Sequence, residues 1–193
     1  MAKTESTMVQ LGTLAPPFEL LDVVSGRAMS RDDVVANAGD GVSGLLVMFI
    51  CVHCPYVKHV EEELARIGVD YEGRIAIAAI QSNDTVQYPE DGPAGMKEQA
   101  ARLGFRFPYL LDELQEVARE YDAACTPDFF LFDAEMRLVY RGQLDSSRPR
   151  RGDAGNDVPV TGADLRAAMD AVIAGVAPAE EQRTSLGCNI KWK

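Results

Sequence analysis

Residues 44–57 of the chain read Gly-Leu-Leu-Val-Met-Phe-Ile-Cys-Val-His-Cys-Pro-Tyr-Val. The first seven residues are apolar without interruption, which is typical of a strand that is buried on both faces of a sheet. From Val57 to Ile67, apolar residues recur at helical spacing with charged residues between them. The stretch therefore predicts a central strand that ends at Cys51 and a helix that follows it directly.

The segments on either side extend this unit into a mixed sheet. A second apolar run at residues 74–80 completes a β-α-β unit, whose two strands are expected to be parallel. Hairpins are predicted at residues 15–27 and 128–141, and a last helix at residues 161–174. We expect an α/β fold, a three-layer sandwich with a mixed central sheet, helices on both faces and an N-terminal β-hairpin. Between the hairpins, Asp112 followed by Gln115 predicts a helix-capping box.

The 193 residues suit one domain, and we divide them into a loose leader (1–12), the domain itself (13–176) and a C-terminal tail (177–193). The net charge of −11 argues against nucleic acid or anionic lipid as a partner. No apolar stretch reaches the length of a membrane span, and residues 1–10 lack the apolar core of a secretory signal. We therefore expect a cytoplasmic protein.

Cys51 and Cys54 form a C-x-x-C motif between the predicted strand and helix. Two intervening residues place both sulfurs within one helical turn, so that a disulfide can close and open. Unpaired amides at the start of a helix favour an anion there, and His53 adds an N–H donor or a partial positive charge. We therefore expect a lowered pKa for Cys51. In the mechanism this implies, the Cys51 thiolate attacks a substrate disulfide and Cys54 resolves the mixed disulfide.

A C-x-x-C pair in a cytosolic chain also serves as a metal site in other proteins. Structural zinc takes four ligands, usually from two such pairs, whereas this chain has one pair. Cys125, Cys188, His53 and His59, which would have to complete a site, lack regular ligand spacing. We expect no metal and no cofactor, with a metal-binding protein of the same fold as an alternative.

The chain resembles the thioredoxin-like superfamily, in particular the redoxin branch related to peroxiredoxins and the alkyl hydroperoxide reductase/thiol-specific antioxidant proteins. The resemblance extends from about residue 11 to 175 and rests on three segments, Ala15-Pro16-Pro17-Phe18-Glu19-Leu20, Phe49-Ile50-Cys51-Val52-His53-Cys54 and Thr126-Pro127. Residues 51–60, 125–133 and 187–193 resemble a bacterial peroxiredoxin-like group that keeps the thioredoxin dithiol. The resemblance implies a thiol–disulfide oxidoreductase that acts on protein or small-molecule disulfides and receives electrons from a thiol donor.

In that superfamily the proline that matches Pro127 is cis and packs against the dithiol, and the backbone of the preceding residue pairs with an extended substrate. The resemblance therefore implies substrate-binding roles for Thr126 and Pro127. Unlike thioredoxin, this chain has no acid on the strand before Cys51. The group that takes the proton from Cys54 is thus open between water and His53.

Peroxiredoxins carry Pro-x-x-x-Thr-x-x-Cys, whose threonine orients peroxide. If Cys54 is aligned with that cysteine, Cys51 stands at the threonine and Val47 at the proline. Thiol-dependent peroxidase activity is therefore the alternative function. Cys125 is expected near the dithiol as a small buried residue, an accessory redox cysteine or an accessory metal ligand. Cys188 is a bystander or a resolving cysteine, the role of C-terminal cysteines in some peroxiredoxins.

Overall fold

The computed structural model of the protein describes residues 3–150 and 155–193. Its strands are β1 (Lys3–Glu5), β2 (Glu19–Asp22), β3 (Arg27–Ser30), β4 (Gly44–Phe49), β5 (Ala76–Gln81), β6 (Tyr109–Leu111), β7 (Cys125–Thr126), β8 (Asp128–Asp133), β9 (Leu138–Gly142) and β10 (Leu186–Asn189). Its α-helices are α1 (Arg31–Asn37), α2 (Pro55–Asp70), α3 (Pro93–Leu103), α4 (Glu116–Glu120) and α5 (Ala163–Ile173), and Pro89–Asp91 forms a 3-10 turn. Within these residues, no helix is both long and apolar enough to cross a membrane.

Seven strands form the central sheet in the order β3-β2-β6-β5-β4-β8-β9. β4 pairs in parallel with β5, and β5 with β6, whereas the other neighbours are antiparallel. β4 and β5 have every residue buried, as the uninterrupted apolar runs predict. The predicted mixed sheet, parallel β-α-β unit and two hairpins are confirmed.

Helices cover both faces of this sheet. Alternate side chains of β4 point to opposite faces, as the period of a strand requires. One set packs with α2, α3 and α5. The other packs with α1 and α4. The predicted three-layer sandwich is therefore confirmed.

On the second face of the sheet, the presence of α1 and the start of α4 differ from what the sequence predicts. α1 was not predicted, although Ser30 and Asp33 form a capping box at its start. The capping box predicted at Asp112 and Gln115 is wrong. α4 begins only at Glu116, and Gln115 adopts a left-handed backbone at the N-cap, with φ of 62°. Its side chain is thereby free to reach the C-terminal tail.

The leader and the tail form a second sheet of three strands, in the order β1-β10-β7. Lys3 is paired with Cys188 in this sheet, so the leader is not loose over its described part. Met1 and Ala2 lie outside the described residues. The sheet joins both ends of the chain to β7, which directly precedes the central strand β8.

Candidate active site

The cysteine pair lies between β4 and α2, where the sequence places it. Cys54 is the N-cap of α2, and Pro55 occupies the first position of the helix, which suits a residue without a backbone N–H. The side chains of Cys51 and Cys54 are both 0% exposed. The pair is therefore at a helix start but fully enclosed.

Thr126 contacts both sulfurs. The Sγ of Cys51 lies 3.3 Å from the Thr126 hydroxyl, and the Sγ of Cys54 lies 3.2 Å from the Thr126 carbonyl oxygen. The peptide bond between Thr126 and Pro127 is cis, as predicted. The structure thus brings together the two residues of the motif and the predicted Thr-Pro pair.

A buried carboxylate, that of Asp91, holds the two residues between the cysteines. One carboxylate oxygen of Asp91 accepts hydrogen bonds from the backbone amides of Val52 (2.9 Å) and His53 (3.0 Å). The other lies 2.5 Å from Nδ1 of His53. Burial disfavours the charged form, but the hydrogen bonds from His53 and Asn83 outweigh it and lower the pKa of Asp91. Asp91 is therefore an anion that fixes the loop of the motif.

Asp91 is in turn connected to the C-terminal tail. The side-chain amide of Asn83 donates to the Asp91 carboxylate at 2.8 Å. The side-chain oxygen of Asn83 accepts the backbone amide of Lys191, also at 2.8 Å. Asp91 could not be predicted from the sequence, because the irregular segment after β5 contains no local motif that marks this residue.

His53 hydrogen-bonds to Asp91 and not to the two sulfurs. Its ring stacks on that of Tyr88 with centroids 4.9 Å apart, and its Nδ1 is engaged by Asp91. In the described part of the chain, the buried Nε2 has no hydrogen-bond partner, and no hydrogen bond joins His53 to Cys51 or Cys54. His53 therefore positions the loop of the motif through Asp91, and a ring nitrogen of His53 lies within 4.8 Å of the Cys51 sulfur.

The expected lowering of the Cys51 pKa is wrong. Burial, contact with Cys54 and the charge of Asp91 raise the pKa of the Cys51 thiol. Hydrogen bonds from the thiols of Cys188 and Cys51 lower the pKa of Cys54 instead. Thr126 treats the two sulfurs differently: the Cys54 thiol donates to its carbonyl oxygen, whereas its hydroxyl, which can donate, faces Cys51. The two thiols are linked, because a charge on Cys54 raises the pKa of Cys51.

The tail strand β10 covers the site. Cys188 is the antiparallel partner of Thr126, and its side chain is 3% exposed. A Cβ atom added to Gly187 would lie 2.0 Å from the carbonyl oxygen of Thr126, so the close approach of β10 requires glycine there. The strand edge at Thr126, expected to bind an extended substrate, is therefore covered by the protein's own tail.

Cys125 faces a different environment. Its buried thiol donates to the carbonyl oxygen of Pro127 at 3.6 Å, and burial raises its pKa. A protonated thiol that hydrogen-bonds to backbone favours the interpretation of Cys125 as a small buried residue.

Cys51, His53 and Asp91 each offer a donor atom that could hold a metal ion, and these atoms lie within 4.8 Å of one another. This set differs from the expected one, because it contains Asp91 and lacks Cys54 and Cys125. His53 and Asp91 already hydrogen-bond to each other, so a metal would have to displace that bond.

A pair of cysteines at the end of a central strand, beside a cis-proline, in a three-layer α/β sandwich defines a thioredoxin-like protein. Within that class, residues 11–141 match the model of the AhpC/TSA family, and the chain belongs to this family. No protein with a curated function matches the chain in sequence.

Several solved structures are similar over most of the chain. An uncharacterized conserved protein from Geobacillus kaustophilus is 50% identical, with a TM-score of 0.91 over 100% of this chain and 97% of that one. A hypothetical protein from Sinorhizobium meliloti is 46% identical, with a TM-score of 0.90 over 98% of both chains. The thioredoxin domain of a thiol-disulfide oxidoreductase from Bacteroides vulgatus is 16% identical, with a TM-score of 0.53 over 69% of this chain and 88% of that one. At that identity the last comparison supports the fold alone.

Proposed function

We propose that the protein is a thiol–disulfide oxidoreductase in which Cys51 and Cys54 alternate between dithiol and disulfide. The observation that carries the proposal is the contact of both sulfurs with Thr126, at 3.3 Å and 3.2 Å, at the start of α2. The Thr126 hydroxyl can donate to a thiolate at Cys51, which is the form that exchange chemistry needs. Membership of the AhpC/TSA family supports thiol chemistry in general.

Cys51 is the sulfur that exchanges with the substrate. When a thiol attacks a disulfide, the sulfur of lower pKa leaves faster. The lowered pKa of Cys54 makes it the better leaving group of the internal disulfide, so an incoming thiol is directed to Cys51. By microscopic reversibility, Cys51 attacks the substrate disulfide when the reaction runs the other way.

The first substrate thiolate that leaves supplies the base for Cys54. The Cys51 thiolate attacks one sulfur of the substrate disulfide, while the proton of the pair stays on Cys54, which donates to the Thr126 carbonyl. The first substrate thiolate leaves and takes the proton from Cys54. Cys54 then attacks Cys51, the internal disulfide forms, and the second substrate thiolate leaves. Neither His53 nor water is required as the proton acceptor left open by the sequence.

Oxidised glutathione tests this proposal. The reduced protein should lose two thiols per chain and gain a disulfide within tryptic peptide 32–58, which contains both cysteines. Cys54→Ser should instead accumulate glutathione on Cys51, and Cys125→Ser should behave as the unaltered protein. If Cys54→Ser gains no glutathione on Cys51 and the unaltered protein keeps both thiols of that peptide, the proposal fails.

Thiol-dependent peroxidase activity is a second candidate, and membership of the AhpC/TSA family favours it. Against it, the residue three before Cys54 is Cys51 and not threonine. Hydrogen peroxide separates the two functions. A thiol–disulfide oxidoreductase should consume hydrogen peroxide slowly and exchange rapidly with oxidised glutathione. A peroxidase should consume hydrogen peroxide rapidly and exchange slowly with oxidised glutathione.

The grouping of Cys51, His53 and Asp91 favours metal binding as a third candidate. Elemental analysis of the purified protein tests it, because stoichiometric copper or zinc without a titratable dithiol would replace the redox proposal. The thiol electron donor, the disulfide substrate and a cytoplasmic location remain predictions from the sequence.

A further inference from the structure

We propose that Cys188 is a third redox thiol of this site and forms an internal disulfide with Cys54. This inference rests on the dithiol chemistry proposed above and adds a second partner for Cys54. It assigns to the tail strand β10 a part in the chemistry, beyond covering the site.

The strand register puts Cys188 on the correct side of β10. Successive side chains of a strand point to opposite faces, and directly paired residues share a face. Cys188 is paired with Thr126, whose hydroxyl contacts Cys51 and whose carbonyl contacts Cys54. Cys188 therefore faces the two sulfurs, and it packs in the same buried cluster as both. Its thiol is in hydrogen-bond contact with that of Cys54.

The same register excludes Cys125. Cys125 is paired with Asn189, one position along, so that its side chain points to the other face of the ladder. Its sulfur is engaged by the Pro127 carbonyl, and it is not a member of the cluster that contains Cys51, Cys54 and Cys188.

Cys188 is held in place from several directions. β10 lies between β1 and β7, where Cys188 is paired with Lys3 on one side and Thr126 on the other. Beyond the strand, the amide of Ile190 donates to the carbonyl of Ala124 at 3.1 Å. A thiol fixed in this way beside Cys54 needs little ordering to form a bond, which is the condition for fast intramolecular exchange.

The exchange balances without an external oxidant. Leaving-group preference directs a freely diffusing thiol to Cys51, but the strand register holds Cys188 beside Cys54, so position directs its attack there. The Cys188 thiolate attacks Cys54 in the Cys51–Cys54 disulfide, the bond between Cys188 and Cys54 forms, and the bond between Cys54 and Cys51 breaks. Cys51 leaves as a thiolate and takes up the proton that Cys188 released. The product carries a free Cys51 and a tail strand that is covalently attached to the start of α2.

The test uses Cys51→Ser with oxidised glutathione. Glutathione first adds to Cys54, and Cys188 then displaces it to give the Cys54–Cys188 disulfide. We expect tryptic peptide 32–58 linked to peptide 184–191 as the main product, identified by mass spectrometry. The link should persist in Cys51→Ser/Cys125→Ser. In Cys51→Ser/Cys188→Ser it should be replaced by stable glutathione on Cys54.

Stable glutathione on Cys54 in Cys51→Ser itself, or a link between peptides 32–58 and 120–137 of Cys125, would overturn the inference. Circular dichroism confirms that each variant is folded. The unaltered protein separates the two proposals: if it forms the Cys51–Cys54 disulfide while Cys51→Ser gives no link, only the inference fails. If Cys51→Ser gives the link while the unaltered protein never joins Cys51 to Cys54, the proposed function fails.

Discussion

Cys188 of β10 lies directly opposite Thr126 of β7, the residue whose hydroxyl and carbonyl contact the two sulfurs of the site. The backbone edge at which related folds bind an extended substrate is therefore covered by the protein's own tail. A protein substrate can reach this edge only after β10 moves. Movement of β10 would also take the Cys188 thiol away from Cys54.

Gln115 anchors the residues that follow β10. Its side-chain amide donates to the carbonyls of Lys191 and Ser82, each at 2.7 Å, and its oxygen accepts the amide of Lys193 at 2.8 Å. Loss of such buried hydrogen bonds costs about 1–3 kcal/mol. Since about 1.4 kcal/mol is a factor of ten in an equilibrium, Gln115→Ala should raise the population of the open tail by about 5- to 150-fold. The alkylation rate of the dithiol by N-ethylmaleimide should rise by the same factor.

The control for this experiment is Leu114→Ala, because Leu114 is the adjacent residue and its side chain is 69% exposed. It should leave the alkylation rate unchanged. Equal rates for Gln115→Ala and the unaltered protein would mean that the tail does not limit access to the sulfurs.

Asp91→Asn should alter both stability and the reactivity of the cysteines. Asp91 accepts hydrogen bonds from Val52, His53 and Asn83 on both carboxylate oxygens, and asparagine retains only one oxygen. At least one donor loses its partner, at a cost of about 1–3 kcal/mol in the free energy of unfolding. After burial and contact with Cys54, the charge of Asp91 is a further cause of the raised pKa of Cys51. The alkylation of Cys51 should therefore reach its half-maximal rate at a lower pH.

Urea unfolding and the alkylation rate as a function of pH measure the two effects. Glu90→Gln, at the exposed neighbouring position, is the matched control. A purely structural role for Asp91 would lower stability and leave the alkylation profile where it was.

Asp128 should make stability depend on pH. Its carboxyl is 0% exposed, and burial raises its pKa to about 8. The folded protein thus keeps Asp128 protonated up to about pH 8, whereas the unfolded chain ionises it near pH 3.9. Since the folded state then binds more protons, the contribution of Asp128 to stability falls from about pH 4 to about pH 8 and is constant above.

Asp128→Asn removes this titration. The stability of the variant relative to the unaltered protein should rise across that interval by a few kcal/mol and then level off. Urea unfolding at a series of pH values measures the difference. If Asp128→Asn and the unaltered protein differ in stability by the same amount at every pH, Asp128 is ionised in the folded protein and this prediction is wrong.

The sequence was sufficient for the parts of the fold that have a local pattern. The apolar runs of β4 and β5 identify strands buried on both faces, and the repeat from Val57 to Ile67 identifies α2. The position of the dithiol follows from these elements. The cis bond before Pro127 came from a family resemblance and not from the residues themselves.

The rest of the fold and of the site depends on contacts between residues that are far apart in the sequence. β10 reads Leu-Gly-Cys-Asn, without apolar alternation, and its register is set by β7, about 60 residues earlier. Asp91 lies in an irregular segment, so its approach to the motif is a product of the fold. The prediction of the cysteine pKa shifts was wrong for the same reason. The lowered pKa of Cys54 depends on Cys188, which only the tertiary structure brings near.

A redox titration of the unaltered protein in glutathione buffers, with tryptic peptide 32–58 followed by mass spectrometry, tests the central claim most directly. The account predicts a reversible two-electron transition in which a disulfide between Cys51 and Cys54 forms and breaks within that peptide. It is contradicted if both cysteines stay free thiols over the whole range of potentials, or if a stoichiometric metal ion holds them.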